Sequence, residues 1–403
     1  MSATSSTTSI ERTPAAAWRM LALGVAAQAA GTLLVSTPAY LIPLLHVERG
    51  IPLARAGLLA AAPTFGMVLT LVLWGALADR RGERWVIAGG LGLTAVFALV
   101  AVPVHGFVGL GLLLMLGGAA SASTNAASGR VVVGWFPRSR RGLAMGIRQM
   151  SQPLGVAAAA IAVPPLAHRW GTGAPLLLAG GVLAVLAVLC AFGIANPPRP
   201  PAAPASADTP ANPYRASGFL VRIHVVSMLL VVPQFTLSTF GLVWLITQLH
   251  WTAAAAGVVI SASQFVGALG RIGVGVLSDR VGSRVHVLRW VAVSGVVVML
   301  ALAATGLVHW SVAAAVMLVV ATTVSVADNG LSFTSVAEAA GHAWSGRALG
   351  VQNTGQFLTA SAVGPGIGAL ITVVGYPVAF ALVALAPLLS IPLVPRRDRH
   401  WGG

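Results

Sequence analysis

Gly75-Ala76-Leu77-Ala78-Asp79-Arg80-Arg81-Gly82-Glu83-Arg84 returns 200 residues later as Gly275-Val276-Leu277-Ser278-Asp279-Arg280-Val281-Gly282-Ser283-Arg284. Six of the ten positions are identical: a glycine, a leucine, an Asp-Arg pair, a second glycine and a final arginine. Each copy ends one long apolar stretch and precedes another. A glycine before the loop lets neighbouring helices approach closely. The Asp-Arg pair marks the surface of a membrane, and the second glycine turns the chain back. A motif of this kind repeated at a fixed offset implies two copies of one structural unit.

Composition places both copies in lipid. The chain is 57% hydrophobic and 8% charged, with mean hydropathy +0.87, whereas soluble domains carry about 25% charged residues. The formal charge of +15 comes from 24 arginines and no lysine. They gather in alternate loops and not along one amphipathic face, which argues against a nucleic-acid surface and for the positive-inside pattern. With both termini inside, eighteen arginines fall in cytoplasmic segments, three (Arg49, Arg55 and Arg169) outside, and three (Arg130, Arg148 and Arg271) within helices. One cysteine, Cys190, makes a disulfide framework or a cysteine-based metal site impossible. No cofactor or metal is expected. The histidines are scattered one per site, which disfavours a membrane enzyme, and the short tails disfavour a sensor.

Along the chain, residues 1–17 read as a Ser/Thr-rich cytoplasmic tail, 18–195 as a first bundle of six helices, and 196–217 as a proline-rich linker. Residues 218–395 read as a second bundle and 396–403 as a cytoplasmic tail. The apolar run from Met20 is too long for a signal-peptide core and is taken as a retained span. Expected helices include 53–76, 107–135, 219–248, 253–277, 311–337 and 346–373, the last span ending near Val394. The fold class is therefore all-α integral membrane, twelve transmembrane helices in two pseudo-repeated bundles, with multi-pass insertion in the cell membrane. The repeat extends beyond the loops: an offset of 204 aligns Asn125 with Asn329, Arg148 with Gln352 and Gln152 with Gln356.

The paired loops resemble those between the second and third helices of major facilitator superfamily transporters and their echo in the other half. The resemblance implies alternating access, with Gly75, Asp79, Arg80, Gly82 and Arg84 and their counterparts Gly275, Asp279, Arg280, Gly282 and Arg284 as a conformational latch. In that family the aspartate faces a helix N-terminus of the opposite half; a plain basic turn is the bland alternative. A monomer is expected on the same ground. No phosphate-binding loop is present, so a solute or ion gradient must drive transport.

Candidate substrate contacts are the polar groups inside the spans. Gln28, Thr32 and Ser36 share one helical face, and Gln28, Tyr40, Gln152, Gln234, Gln264, Asn353 and Gln356 are the candidates for lining a cavity. Hydrogen bonding between helices is the competing role. Arg271 stands out because its counterpart at the loop offset is Leu71, and an intramembrane arginine costs about 2.5–3.5 kcal/mol on insertion scales. Its planar fork suits a carboxylate. The segment Trp135-Phe136-Pro137 through Gly142-Leu-Ala-Met-Gly146 is similar to the fourth loop of monocarboxylate and oxalate–formate porters. In those porters an arginine at the place of Arg271 binds the anion. Snorkelling or pairing with a carboxylate is the alternative. Asp328 is the one acid placed well inside the membrane; it is a candidate proton carrier, or an ion-pair partner of an arginine. The expected activity is proton-coupled transport of a small organic monoanion, with proton-coupled efflux of drug-like compounds as the alternative.

Overall fold

The computed structural model describes residues 15–136, 144, 147–196, 212–308 and 310–399; inside those ranges the side chains of 79, 129–134, 216, 341–343, 345 and 346 lie outside the description. The described chain is helical almost throughout. The first half supplies α1 (Ala15–Tyr40), α2 (Leu53–Arg81), α3 (Glu83–Ala101), α4 (Phe107–Trp135), α5 (Ser151–Trp170) and α6 (Gly173–Gly193). The second supplies α7 (Phe219–Thr247), α8 (Ala253–Val281), α9 (Arg284–Leu307), α10 (Ser311–Ser325), α11 (Asp328–Val383) and α12 (Leu385–Leu393). A single helical turn, Pro213–Ala216, precedes α7. In hydrocarbon every backbone N–H and C=O must be paired within the element, and a helix is the form that does so locally. Several hydroxyls inside the spans meet the same demand, although those of Ser123, Ser332 and Ser335 find no partner among the described residues. Thr32, Thr37 and Thr94 each donate to the carbonyl four residues back, which hides the polar group against its own helix.

Eleven described stretches are long and apolar enough to cross a bilayer, and the last of them turns once more. Helix α11 has 56 residues, about 84 Å at 1.5 Å per residue, far longer than a hydrocarbon core of about 30 Å. Its residues show that it folds back. Gln356 donates to Asn329 at 3.1 Å although 27 residues separate them, a gap of about 40 Å in a straight helix. A second reversal sits at Gly375, where φ is +77°, a conformation that residues with a Cβ rarely adopt. Pro377 follows. The run therefore holds the end of the tenth crossing, the whole eleventh and the start of the twelfth. The tenth crossing, expected as one helix over 311–337, is interrupted at Val326-Ala327, so that Asp328 heads a new helix.

Within the first half, α2 and α4 pack most closely. A methyl group on Gly118 would strike the backbone of Pro63, and one on Gly66 would strike that of Met115. Small residues at such crossings let backbones touch, which supplies the dispersion contact that replaces the hydrophobic effect in lipid. Thr70 and Trp74 of α2 both donate to the Ala119 carbonyl of α4, at 2.6 and 2.7 Å.

Among the described residues, the close backbone contacts between the halves gather away from the paired loops. Gly57 of α2 lies against the backbone of Gly364 in α11, and Gly368 against Leu53 and Ala54. Gly257 of α8 lies against the Ala160 carbonyl of α5, and Ser261 Oγ donates to the Ala157 carbonyl at 3.0 Å. Gly57, Gly257, Ser261, Gly364 and Gly368 sit toward the helix ends remote from the paired loops, and Ala157 and Ala160 lie near the middle of their span. At the loop end the picture inverts: a Cβ on Gly75 or Gly275 would meet nothing within 4 Å. The close approach expected of these glycines is thus not made in this conformation, because the helix ends that carry them stand apart. The exposure pattern repeats along with the sequence. Val72, Ala76 and Leu77 are exposed and Ala78 is buried, as are Ile272, Val276, Leu277 and Ser278 in turn.

Candidate functional site

Two polar networks lie inside the bundles, one in each half, and each is centred on a glutamine and an asparagine of its repeat, Gln28 with Asn125 and Gln234 with Asn329. In the first, Gln28 of α1 donates to Asn125 of α4 at 2.8 Å, and Ser128 donates to Gln28 Oε1 at 3.1 Å. Arg148 reaches both Gln28 Oε1 and Ser128 Oγ at 3.2 Å. In the second, Asn329 donates to Gln234 Oε1 at 3.1 Å, while Gln356 donates to Asn329 at 3.1 Å and to Ser227 Oγ at 2.6 Å. Polar groups at membrane depth must find protein or water partners, and here helices one, four and five or seven, ten and eleven supply them to each other. Of the candidates, Gln28, Gln234 and Gln356 are thereby brought together with partners. Gln152, Gln264 and Asn353 are half-buried. Tyr40 is 2% exposed and belongs to the apolar core of the first half.

The second half adds charge. Asp328 is fully buried. It is the first residue of α11, and among the described residues neither of its carboxylate oxygens has a hydrogen-bond partner. A helix N-terminus favours negative charge there. Arg271 of α8 brings the opposite charge to the same break: its Nε donates to the Val326 carbonyl between α10 and α11, at 3.2 Å, two residues before Asp328. The corresponding first-half residues are Leu71 at an offset of 200 and Thr124 at an offset of 204. Neither charge is needed to build the repeat, and the two occur together.

The loop residues fall into two differently wired sets. The side chain of Asp79 lies outside the described residues. In the second half, Arg284 donates to Asp279 Oδ1 at 2.5 Å and to Ser278 Oγ at 2.9 Å, and approaches Glu338 at 3.6 Å. These partners all belong to its own half. Arg284 and Val285 offer their backbone N–H groups to Asp398 Oδ1 at 3.0 Å, and Ser283 donates to Asp398 Oδ2 at 2.5 Å. In the first half the same place is taken by Asn196, whose Oδ1 accepts from the Arg84 N–H at 2.9 Å. Arg84 Nε donates to the Ala191 carbonyl at 2.5 Å. Sequence reading missed Ser128, Ser227, Asn196 and Asp398. The signal available for the last two was their common place, a few residues beyond the final helix of each half.

Two pseudo-repeated bundles that touch at one end, with polar networks between their helices, define a membrane transporter of the secondary class. The chain belongs to the major facilitator superfamily, whose family model matches residues 20–362. It is 45% identical over 382 residues to MFS-type transporters of Mycobacterium tuberculosis strains H37Rv and CDC 1551, a match that covers 95% of this chain and 85% of each relative. Among solved structures it resembles a bacterial homologue of the human lysosomal transporter Spinster. The inward-facing, occupied form gives TM-score 0.71 at 15% identity, covering 94% of this chain and 93% of that one. The unoccupied form gives 0.70 at 14%, covering 95% of each.

Proposed function

We propose that this transporter carries a small organic monoanion together with a proton, by alternating access, with its paired loops and both termini on the cytoplasmic side. The observation that carries this reading is the juxtaposition of Arg271 and Asp328 at the break before α11, in the half where the repeat does not require either. A desolvated guanidinium needs one negative partner, and leaving it without any costs about 3–5 kcal/mol. Two groups can meet that need: the Asp328 carboxylate or a substrate carboxylate. When Asp328 takes up a proton it becomes neutral, and Arg271 becomes available to hold the anion through its two-pronged donor face. When Asp328 releases the proton, its carboxylate re-pairs with Arg271 and the anion is displaced. One proton then accompanies one monoanion, and no net charge crosses the membrane.

The glutamines of the two networks, with Gln152, Gln264 and Asn353 beside them, orient the rest of the substrate. With the loops on the cytoplasmic side, the contacts at Gly57–Gly364 and Gly257–Ala160 close the outer end, and the separated loop ends open the site inward. The exposed apolar faces around Val72 and Ile272 become the contact surface when the cytoplasmic end closes, with Gly75 and Gly275 at the crossing. Asp79 and Asp279, with Arg80, Arg280 and the loop glycines, then engage the opposite half as the latch.

The test is uptake of labelled small carboxylates, and of drug-like cations, into proteoliposomes with and without an imposed pH gradient. Carboxylate uptake that rises with an inward proton gradient in wild type and disappears in Arg271→Ala supports the reading. Expulsion of cations, with Arg271→Ala transporting normally, overturns it and leaves Arg271 a structural ion-pair partner.

A further inference from the structure

At the loop end of the second half, the last turn of α12 is held by arginines. Arg222 of α7 donates to the Leu393 and Pro392 carbonyls at 2.9 and 3.2 Å, and Arg289 of α9 donates to those of Val394 and Pro395 at 3.1 and 3.4 Å. This satisfies carbonyls that a helix C-terminus leaves open, but it uses only part of each guanidinium, which has five donors. A cleft lined by Arg222, Arg289 and Arg396, with Ile391, Pro392 and Val394 as its apolar wall, opens beside these bonds. An adjoining cleft shares Arg222 and adds Arg397 and Arg399. The acid within this group, Asp398, is already engaged by Ser283 and by the N–H groups that start α9. Among the described residues no carboxylate pairs with any of the five arginines.

The repeat shows that capping alone does not require this charge. In the first half the end of α6 is covered by one arginine and one indole, Arg84 on the Ala191 carbonyl and Trp135 on that of Ala195. Gly89 stands where Arg289 stands in the second half. The cleft also adjoins an apolar exterior: Trp290 and Val293 on α9 and Leu388 and Leu389 on α12 are all exposed. A cationic pocket at the level of the headgroups, beside apolar helix faces, is what an anionic lipid needs. The indole of Trp290 is suited to the same interface.

We infer that this cleft is a binding site for an anionic phospholipid of the cytoplasmic leaflet, its phosphodiester held by Arg222, Arg289 and Arg396 and its acyl chains lying along α9 and α12. Charge complementarity selects a lipid over a neutral ligand, and continuity with the lipid-facing helix surfaces selects it over free phosphate.

The test is native mass spectrometry of the detergent-purified full chain titrated with dioleoyl phosphatidylglycerol, with dioleoyl phosphatidylcholine, and with phosphatidylglycerol in the presence of inorganic phosphate. Wild type is expected to retain phosphatidylglycerol about tenfold more tightly than phosphatidylcholine, and the Arg289→Gln/Arg396→Gln variant to lose that preference. Arg215→Gln, which removes one exposed arginine outside the cleft, is expected to keep it. Equal retention of the two lipids by wild type, an equal loss in Arg215→Gln, or displacement by millimolar phosphate would each overturn the site. Should the double variant fail to fold, Arg396→Gln alone decides, since Arg396 caps no carbonyl. The measurement involves no transport and no substrate, so it stands or falls separately from the anion–proton reading.

Discussion

The two halves share a plan and differ in charge, and the difference separates scaffold from chemistry. Both place a glutamine, an asparagine and a serine in a buried network: Gln28, Asn125 and Ser128 in one, Gln234, Asn329 and Ser227 in the other. Both run the same exposed-and-buried pattern toward their loops. What differs is that Arg148 joins the first network, whereas its counterpart Gln352 pairs with His224, and the second half carries its charge as Asp328, next to Asn329 of its network, and as Arg271 on α8. The helix starts differ too, a neutral Asn196 against a charged Asp398. Features common to both halves answer the demands of packing in lipid; features confined to one half are where the proposed anion and proton sites lie.

The largest expected effect attacks the charged pair. Arg271→Ala is expected to reduce carboxylate uptake by about a hundredfold or more, the scale of removing one partner from a buried ion pair. Arg271→Lys should restore part of it. Asp328→Asn should keep exchange of the anion but lose its response to a pH gradient, which counterflow against gradient-driven uptake would read. If Leu71→Arg/Arg271→Leu transports as wild type does, the division of labour between the halves is wrong.

The next effect contrasts the two ends of the molecule. Gly57→Leu places side-chain atoms where the Gly364 backbone lies, so it should lower transport more than about tenfold and increase labelling of a cysteine reporter at the end remote from the paired loops, while helix content stays unchanged. Gly75→Leu meets open space in this conformation. It should fold with an unaltered melting temperature and still transport poorly, because the space it fills is needed when the loop ends close. A smaller effect separates the caps. Asp398→Ala, which removes three hydrogen bonds and a charge at a helix N-terminus, should destabilise by about 1–2 kcal/mol, and Asn196→Ala by about 1 kcal/mol. Thermal unfolding in detergent measures both. The smallest is Ser261→Ala, which removes one hydrogen bond between the halves, worth about 0.5–1.5 kcal/mol. It should shift the open–closed balance without abolishing transport, as cysteine accessibility at the outer end would report.

Much of this was legible before any coordinates, for identifiable reasons. Arg271 and Asp328 could be singled out one at a time because charge inside an apolar run is costly and therefore rare. That both come to the same helix break could not be read, since 56 residues lie between them along the chain. The break itself, at Val326-Ala327, carries no proline or glycine to announce it. Tyr40 marks what a sequence does not give: a polar group in a span suggests a cavity contact, and its ring is packed in the core of the first half. Asn196 and Asp398 escaped notice because a helix cap of this kind comes from outside the helix, more than a hundred residues away along the chain.

The sequence by itself determined the class of molecule, the twelve crossings, the repeat and the end at which the arginines gather, because hydropathy, loop charge and a duplicated motif are local properties of the chain. Only the tertiary structure decided which ends of the halves touch, that Gly57 meets Gly364 while Gly75 meets nothing, and that Arg271 reaches the helix break which Asp328 follows. Those facts depend on how rigid helices cross, and a glycine or an arginine written in a sequence does not say which distant backbone or charge it will meet.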